Sequence, residues 1–307
     1  MKTILIITNS IDKTATYIQK KYASDAYFFR FNTDYFNNYS ININQNKIEI
    51  TDLIKKETIS SLDVYSVYYR KISFPTLSEY TPYYHIFMKS EMFSLIKGIA
   101  ESLGERALSR PSTITRADNK VIQLTIAKEI GFTVTNSLIT NNKILAENFV
   151  KNSKENIIVK PISTGEIKKN NYKTVIQTNV VNNSNIDNLN KSPEYFQYYI
   201  EKKYEVRVTV INSKLFPVKI TSNNKVDWRK INNKITYESI ILPEHIKFLI
   251  FKMMAYFNLV YAAFDFIVNL KNEYYFLELN ANGQWQWLEK ELDLKISKEI
   301  VNYLTGG

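Results

Sequence analysis

The sequence predicts a mixed α/β (α+β) fold, and three observations carry that expectation. The N-terminal residues run in the order strand, polar loop, helix, strand. In 205–210 the residues alternate strictly: Glu205, Arg207 and Thr209 share one strand face, and Val206, Val208 and Val210 the other. The 307 residues are 45 % hydrophobic and 14 % aromatic, enough to bury two or three packed sub-domains. The same composition, with no Cys, excludes a disulfide scaffold, a low-complexity chain and a disordered tail protein.

Taken in order, residues 4–8 are a buried-strand run, followed by polar Asn9–Lys13 and a helical segment to Tyr22. Phe28–Phe31 is a second strand. No Gly-rich turn follows the first strand, so the dinucleotide fingerprint is absent. Ile41 and Ile43, then Ile48 and Ile50, alternate around a polar turn and predict a hairpin. Val64–Tyr69 reads as a strand ending at Arg70, and 84–103 as a long helix. Asp118 is expected to cap a helix from Asn119 to Ile130, with Gly131 as its stop. Ile157–Lys160 is a strand meeting Pro161, and the polar stretch 182–193 is the best internal boundary. From Gln197 the chain is strand-rich. Glu244–Phe257 is helical, a two-stranded hairpin follows, and one helix closes the chain.

The net charge of +10 comes from 40 basic and 30 acidic residues, and only seven of the basic ones are Arg. Abundant Lys and Asn suggest compositional drift, yet residues 151–240 hold 16 basic and 8 acidic residues, a local +8. A basic middle third suits a polyanionic partner: nucleotide, nucleic acid or acidic peptide. The N-terminal apolar run is too short for a signal peptide, and no stretch approaches the ~20 apolar residues of a membrane span. The chain therefore reads as cytoplasmic, with no membrane partner.

The segment 262–280 carries the most chemistry. A hairpin turn centred on Lys271-Asn272 places Asp265 opposite Glu278, with Cβ atoms roughly 5 Å apart. Two facing carboxylates repel unless something neutralises them. Asn280 shares their face, two residues beyond Glu278. Asp, Glu and Asn together form an all-oxygen set suited to Mg²⁺ shared with phosphates. The alternative is a surface hairpin whose carboxylates pair with Lys. Large apolar neighbours on both faces favour burial instead.

With those residues in view, the chain resembles the ATP-grasp superfamily, and within it the peptide maturases that make ω-ester and ω-amide peptides, the graspetides of microviridin type. The matching pieces are Ile7–Ala15, Phe29–Phe36, Tyr68–Lys71, Ala117–Leu124, Val159–Pro161, Phe196–Ile200, Tyr204–Val210, Asp227–Arg229 and Leu277–Trp285. Their order and spacing, rather than any one piece, carry the resemblance. It implies an ATP-grasp fold with an N-terminal pre-ATP-grasp domain (1–110), a central domain (111–195) and a C-terminal domain (196–307). ATP lies between the last two.

The resemblance also implies roles. Lys120 and Lys160 match the phosphate-contacting lysines, Gln197, Tyr198 and Ile200 the hinge that reads adenine, and Glu205 the ribose carboxylate. Asp265, Glu278 and Asn280 match the ligands of two Mg²⁺ ions, and Arg207 and Arg229 the catalytic arginines. The planar guanidinium fork suits phosphate and carboxylate alike. Arg207 could otherwise form a plain ion pair with Glu205. The implied reaction is ATP-dependent phosphorylation of Asp/Glu side chains in an acidic precursor peptide with leader and core segments, then ring closure onto Ser/Thr or Lys. The resemblance further suggests a homodimer. One departure is the loop Pro161–Gly165, which has a single Gly where many relatives are Gly-rich. His85 and His245 match no motif and read as structural or surface residues. Competing readings are a ligase that adds an amino acid to a protein tail or small acid, a degenerate non-catalytic module, and a basic nucleic-acid-binding protein. No nucleic-acid motif is present to support the last.

Overall fold

In the computed structural model all residues are described except 46, 164, 170, 171, 176, 177, 182–185, 187, 188 and 225–233; for 166–169 and 172–175 only the backbone is. The chain begins with β1 (Thr3–Thr8), α1 (Lys13–Lys21), β2 (Tyr27–Asn32), β3 (Tyr39–Ile43), β4 (Ile48–Asp52), β5 (Glu57–Ser60), β6 (Val64–Tyr69), α2 (Pro82–Ser102) and β7 (Arg106–Ala107). It continues through α3 (Pro111–Ala117), α4 (Lys120–Ile130), β8 (Ser137–Thr140), α5 (Lys143–Lys151), β9 (Ile157–Lys160), β10 (Glu166–Lys169), β11 (Tyr172–Val175), β12 (Asn179–Val180) and β13 (Glu194–Tyr198). The last third holds β14 (Lys202–Ile211), β15 (Lys214–Ser222), β16 (Ile235–Ser239), α6 (Glu244–Phe257), β17 (Tyr261–Asn269), β18 (Tyr274–Asn280), α7 (Gln286–Leu292) and α8 (Ile296–Thr305).

The N-terminal sheet is parallel, in the order β2-β1-β6-β7. Its strands are buried on both faces, as parallel strands require. Leu5 and Ile7 pack toward α2 and the antiparallel sheet β3-β4-β5. Ile4 and Ile6 pack on the other side with α1, Trp285 and α8. The chain's beginning and end therefore share one core. The Asp12 carboxylate caps α1 by accepting from Thr14 N and Ala15 N, at 3.0 and 3.2 Å.

An antiparallel sheet of order β16-β15-β14-β17-β18 dominates the last third. Its apolar face, with Val206, Val208, Phe264, Phe266, Phe276 and Leu279, packs on α6 and on Ile126 and Ala127 of α4. A smaller sheet, β12-β9-β13-β8, has its own core of Ala146, Ile157, Val159, Leu189 and Phe196. Helix α4 thus packs with the large sheet rather than the small one, and β13 runs across the expected break at 195/196.

Two local expectations are corrected. Asn119 caps α4, accepting from Val121 N and Ile122 N, whereas Asp118 ends α3 and turns its carboxylate to Ala281 N at 2.8 Å. Gly131, at φ +110°, does stop α4. The closing helix is two helices, broken where Asp293 takes φ +49°. Half of the polar stretch 182–193, residues 182–185, 187 and 188, lies outside the described residues. No helix among the described residues is long and apolar enough to cross a membrane.

Candidate active site

The polar face of the large sheet carries a row of charged groups whose alignment follows from strand register. Arg207 on β14 pairs with Asp265 on β17, and Asp265 with Glu278 on β18. The hairpin reaches that register by two offsetting departures from the expected turn. Val268 pairs with Tyr274 and Asn269 N bonds Glu273 O, so the loop holds three residues, with Asn272 at φ +62°. A bulge beyond Asp265 then leaves Leu277 unpaired and restores the facing carboxylates.

The repulsion between them is answered by cations. Arg207 Nη1 donates to both Asp265 oxygens at 2.9 and 2.8 Å. Lys120 Nζ donates to Glu278 Oε2 at 2.5 Å. Asn280 Nδ2 joins the two acids, reaching Asp265 Oδ2 at 3.2 Å and Glu278 Oε1 at 3.1 Å. Burial pushes the Glu278 carboxyl up, but Lys120, Asn280 and the more distant Lys160 outweigh it and hold the value at about 2. Burial also opposes charge on Arg207, and Asp265 overrides it in raising that pKa. Glu205 is not the partner of Arg207; it pairs with Lys202.

Lys120 is held at this spot by contacts the sequence reading missed. Gln123 is 1 % exposed, and its amide nitrogen donates to Ala117 O at 2.6 Å and Leu279 O at 2.7 Å. Its oxygen accepts from Leu279 N at 3.0 Å. With the Asp118–Ala281 bond, Gln123 clasps the start of α4 to β18. Asp118 itself is pushed up by burial against the pull of Ala281 N–H and Lys120. Gly283 is required on the far side. A Cβ there would lie 2.7 Å from Ala263 Cβ and 2.9 Å from Arg207 Nη2. The freed space lets Arg207 Nη2 donate to Gln284 O at 3.1 Å. Tyr261 Oη fixes the same loop through Gly283 O at 2.5 Å. The Asn-Gly dipeptide at 282–283 was the available signal for this turn.

The remaining expected residues lie on the small sheet and the link to β14. Lys160 pairs across strands with Tyr195, and its Nζ sits 5.0 Å from that ring's centroid. Gln197, 2 % exposed, donates its side-chain amide to Tyr195 Oη at 2.9 Å. Tyr198 packs on Phe149; its N–H reaches Asn136 O at 2.9 Å, and its carbonyl accepts from Thr135 Oγ1 at 3.1 Å. Ile200 lies in the link between β13 and β14. Arg229 lies outside the described residues. The structure thus gathers Lys120, Arg207, Asp265, Glu278 and Asn280 into one contact network, with Lys160 acting on Glu278 through space.

The cluster has the chemistry of a divalent-cation site. Two anionic carboxylates and an amide lie on one partly open face, with side chains 15 % exposed at Asp265 and 28 % at Glu278. The fit requires Asn280 to rotate its amide so that Oδ1, not Nδ2, faces the carboxylates. Among the described residues no cluster of three or more His, Cys, Asp or Glu offers an alternative.

A family model described as an MvdD pre-ATP grasp domain matches residues 3–115, and one described as a RimK-like ATP-grasp domain matches 115–304. Among solved structures, the chain is similar to a RiPP-associated ATP-grasp ligase of Chryseobacterium gregarium in complex with ADP and a leader and core peptide. Identity is 30 % over 99 % of this chain and 96 % of that one, with a TM-score of 0.86. It is also similar to macrocyclase MdnC of Microcystis aeruginosa MRC bound with precursor peptide MdnA: 26 % identity, 99 % and 100 % coverage, TM-score 0.88. For macrocyclase MdnB of the same organism the values are 28 %, 100 % of each chain and 0.80. No curated protein matches significantly. With a single family model spanning well over half its length, the chain belongs to the RimK-like ATP-grasp ligases, in the group that carries an MvdD-type pre-ATP-grasp domain.

Proposed function

We propose that this ligase activates an Asp or Glu side chain of a ribosomal precursor peptide with ATP and closes it onto a Ser/Thr hydroxyl or Lys amine of the same peptide. The supporting observation is the row Arg207–Asp265–Glu278–Lys120, bridged by Asn280, in a chain 30 % identical over nearly its full length to a ligase holding ADP, leader and core. A substrate carboxylate oxygen attacks the γ-phosphorus and ADP leaves. The hydroxyl or amine then attacks the acyl carbon, phosphate leaves, and the nucleophile's proton is released. The protein's part is positioning and charge neutralisation.

In this reading Lys120 and Lys160 hold phosphate oxygens. The backbone at Gln197, Tyr198 and Ile200 reads adenine, while the Gln197 side chain stays with Tyr195. Glu205 takes the ribose, and Asp265, Glu278 and Asn280 bind Mg²⁺ as a pair of ions. When bound, Mg²⁺ neutralises the phosphate charge. Lys120 then exchanges its carboxylate for a phosphate, and Arg207 and Arg229 steady the transferred phosphoryl group and the substrate carboxylate. The division 1–110, 111–195 and 196–307 is one of role: the middle part supplies both lysines and the last part the metal ligands. The basic stretch 151–240 steers an acidic core, an attraction that salt weakens. We place the enzyme in the cytoplasm.

The test is intact mass of the precursor peptide after incubation with enzyme, ATP and Mg²⁺. Ring closure loses one water per bond and releases one ADP. Addition of a free amino acid would raise the mass and favour the alternative ligase; an unchanged mass with no ADP released would refute both. We also propose a homodimer seated on the N-terminal half of α2. There Tyr83, Ile86 and Phe87 are 87 %, 84 % and 63 % exposed. Light scattering should report a dimer for the wild type and a monomer for Ile86→Ser/Phe87→Ser; a dimeric variant would refute this seat.

A further inference from the structure

The small sheet buries a tyrosine to which the ATP chemistry has so far given no part. Phe196 of β13 and Val159 of β9 face each other in that sheet's core. By strand alternation Tyr195 and Gln197 lie on the opposite face, and Lys160 lies there directly across from Tyr195. Tyr195 is 2 % exposed although its face carries polar and charged neighbours rather than the apolar core.

Three strands fix its ring. Gln197 donates its side-chain amide to Tyr195 Oη at 2.9 Å. Ser137 of β8, the cross-strand partner of Gln197, also hydrogen-bonds the hydroxyl. From β9, Lys160 sets its ammonium 5.0 Å from the ring centroid, within the range of a cation–π contact. Burial, helped by the Glu278 charge and opposed by Ser137, pushes the Tyr195 hydroxyl up to about 12. The side chain therefore stays a neutral phenol at neutral pH, and it meets Lys160 through its π face rather than as an ion pair.

Lysine is a point charge on a flexible four-carbon stem, and ordering that stem when phosphate arrives costs side-chain entropy. An aromatic face that orders the ammonium beforehand lowers the cost. The ammonium has three donors, so a ring on one side leaves others for phosphate oxygens. We propose that Tyr195 is a positioning residue: its ring holds the Lys160 ammonium ready for a nucleotide phosphate, and Gln197 and Ser137 hold the ring. The inference deepens the proposed function and rests on its assignment of Lys160 to phosphate.

The experiment uses the full-length protein and compares two rings of nearly one shape and different electrostatics. Tyr195→Phe keeps the π face, whereas Tyr195→3,4,5-trifluorophenylalanine keeps the outline and drains the negative charge from that face. Each is made beside Lys160 and again with Lys160→Met, and mant-ADP affinity is read by fluorescence anisotropy. Beside Lys160, the trifluoro ring should bind mant-ADP about fivefold more weakly than the Phe ring; with Lys160→Met the two should agree within about twofold. A merely structural role would give the same difference in both backgrounds. Equal affinity of the two rings beside Lys160, or the same difference without it, would overturn the positioning role and leave the ligase reading intact. Lys160→Met binding mant-ADP as tightly as wild type would instead remove Lys160 from the phosphates, and the inference would fall with that assignment.

Discussion

Two arginine–carboxylate pairs lie in different parts of this molecule, and their surroundings separate a closed pair from an open one. In the N-terminal sheet, Arg70 and Asp12 side chains are 1 % and 4 % exposed. Asp12 accepts from Arg70, Thr8 Oγ1 and two backbone N–H groups of α1, while Arg70 also donates to Tyr68 Oη at 2.7 Å. Burial pushes Asp12 up, yet these partners bring it below its ordinary value. In the large sheet, Arg207 and Asp265 are 11 % and 15 % exposed. Arg207 Nε is buried without a partner among the described residues, as is Thr209 Oγ1 two residues along the same strand. A complete network rigidifies what it joins, whereas an incomplete one has bonds to offer a ligand.

The contrast predicts opposite consequences for similar mutations, and the largest lies at the open pair. Asp265→Asn or Glu278→Gln should lower ATP-dependent turnover by at least about 100-fold, read as ADP release with precursor. Glu278→Gln also removes a charge that stabilises the folded chain, so its urea midpoint should fall, and turnover is compared per folded molecule. At the closed pair, Arg70→Met uncovers a buried carboxylate. It should cost roughly 3–5 kcal/mol in urea unfolding while turnover per folded molecule stays near wild type. A variant that unfolds little would show that Asp12 has other compensation.

Smaller effects sharpen the boundary between the pairs. Gly283→Ala forces a methyl group against Ala263 and Arg207, so turnover should fall about tenfold with nucleotide affinity retained. A change in nucleotide affinity alone would place Gly283 outside the Arg207 support. The pH dependence is subtler. The folded Glu278 pKa is depressed, so the stability it contributes is fully present above the ordinary carboxylate value of about 4.3 and is lost as pH falls toward about 2. Lys120→Met removes the main opposition to burial, so the Glu278 carboxyl should move upward. NMR titration of a labelled Glu278 checks this, and an unmoved titration would deny the Lys120 contact its role.

Strand-borne features were legible because side-chain alternation is local. Arg207, Asp265, Glu278 and Asn280 fall on one face by counting alone. The register was reached by an incomplete route, since a three-residue loop and the Leu277 bulge offset each other and neither leaves a composition signal. Gln123 and Tyr195 were illegible as site supports. Their meaning depends on contacts with Leu279, 156 residues away, and with Lys160 on a neighbouring strand. Asp118 read as a helix cap because Asp favours caps, but a distant backbone N–H claims it and Asn119 takes the place. Arg70 looked like its fellow motif arginines, and only the surrounding bonds reveal its structural use.

The most direct test of the open-pair account is hydroxylamine trapping of an activated carboxylate on the precursor peptide in the presence of ATP and Mg²⁺. Wild type and the folded fraction of Arg70→Met should both yield hydroxamate at Asp or Glu, whereas Asp265→Asn should yield almost none. Trapping by Asp265→Asn at the wild-type rate would contradict the assignment of the reaction to this cluster.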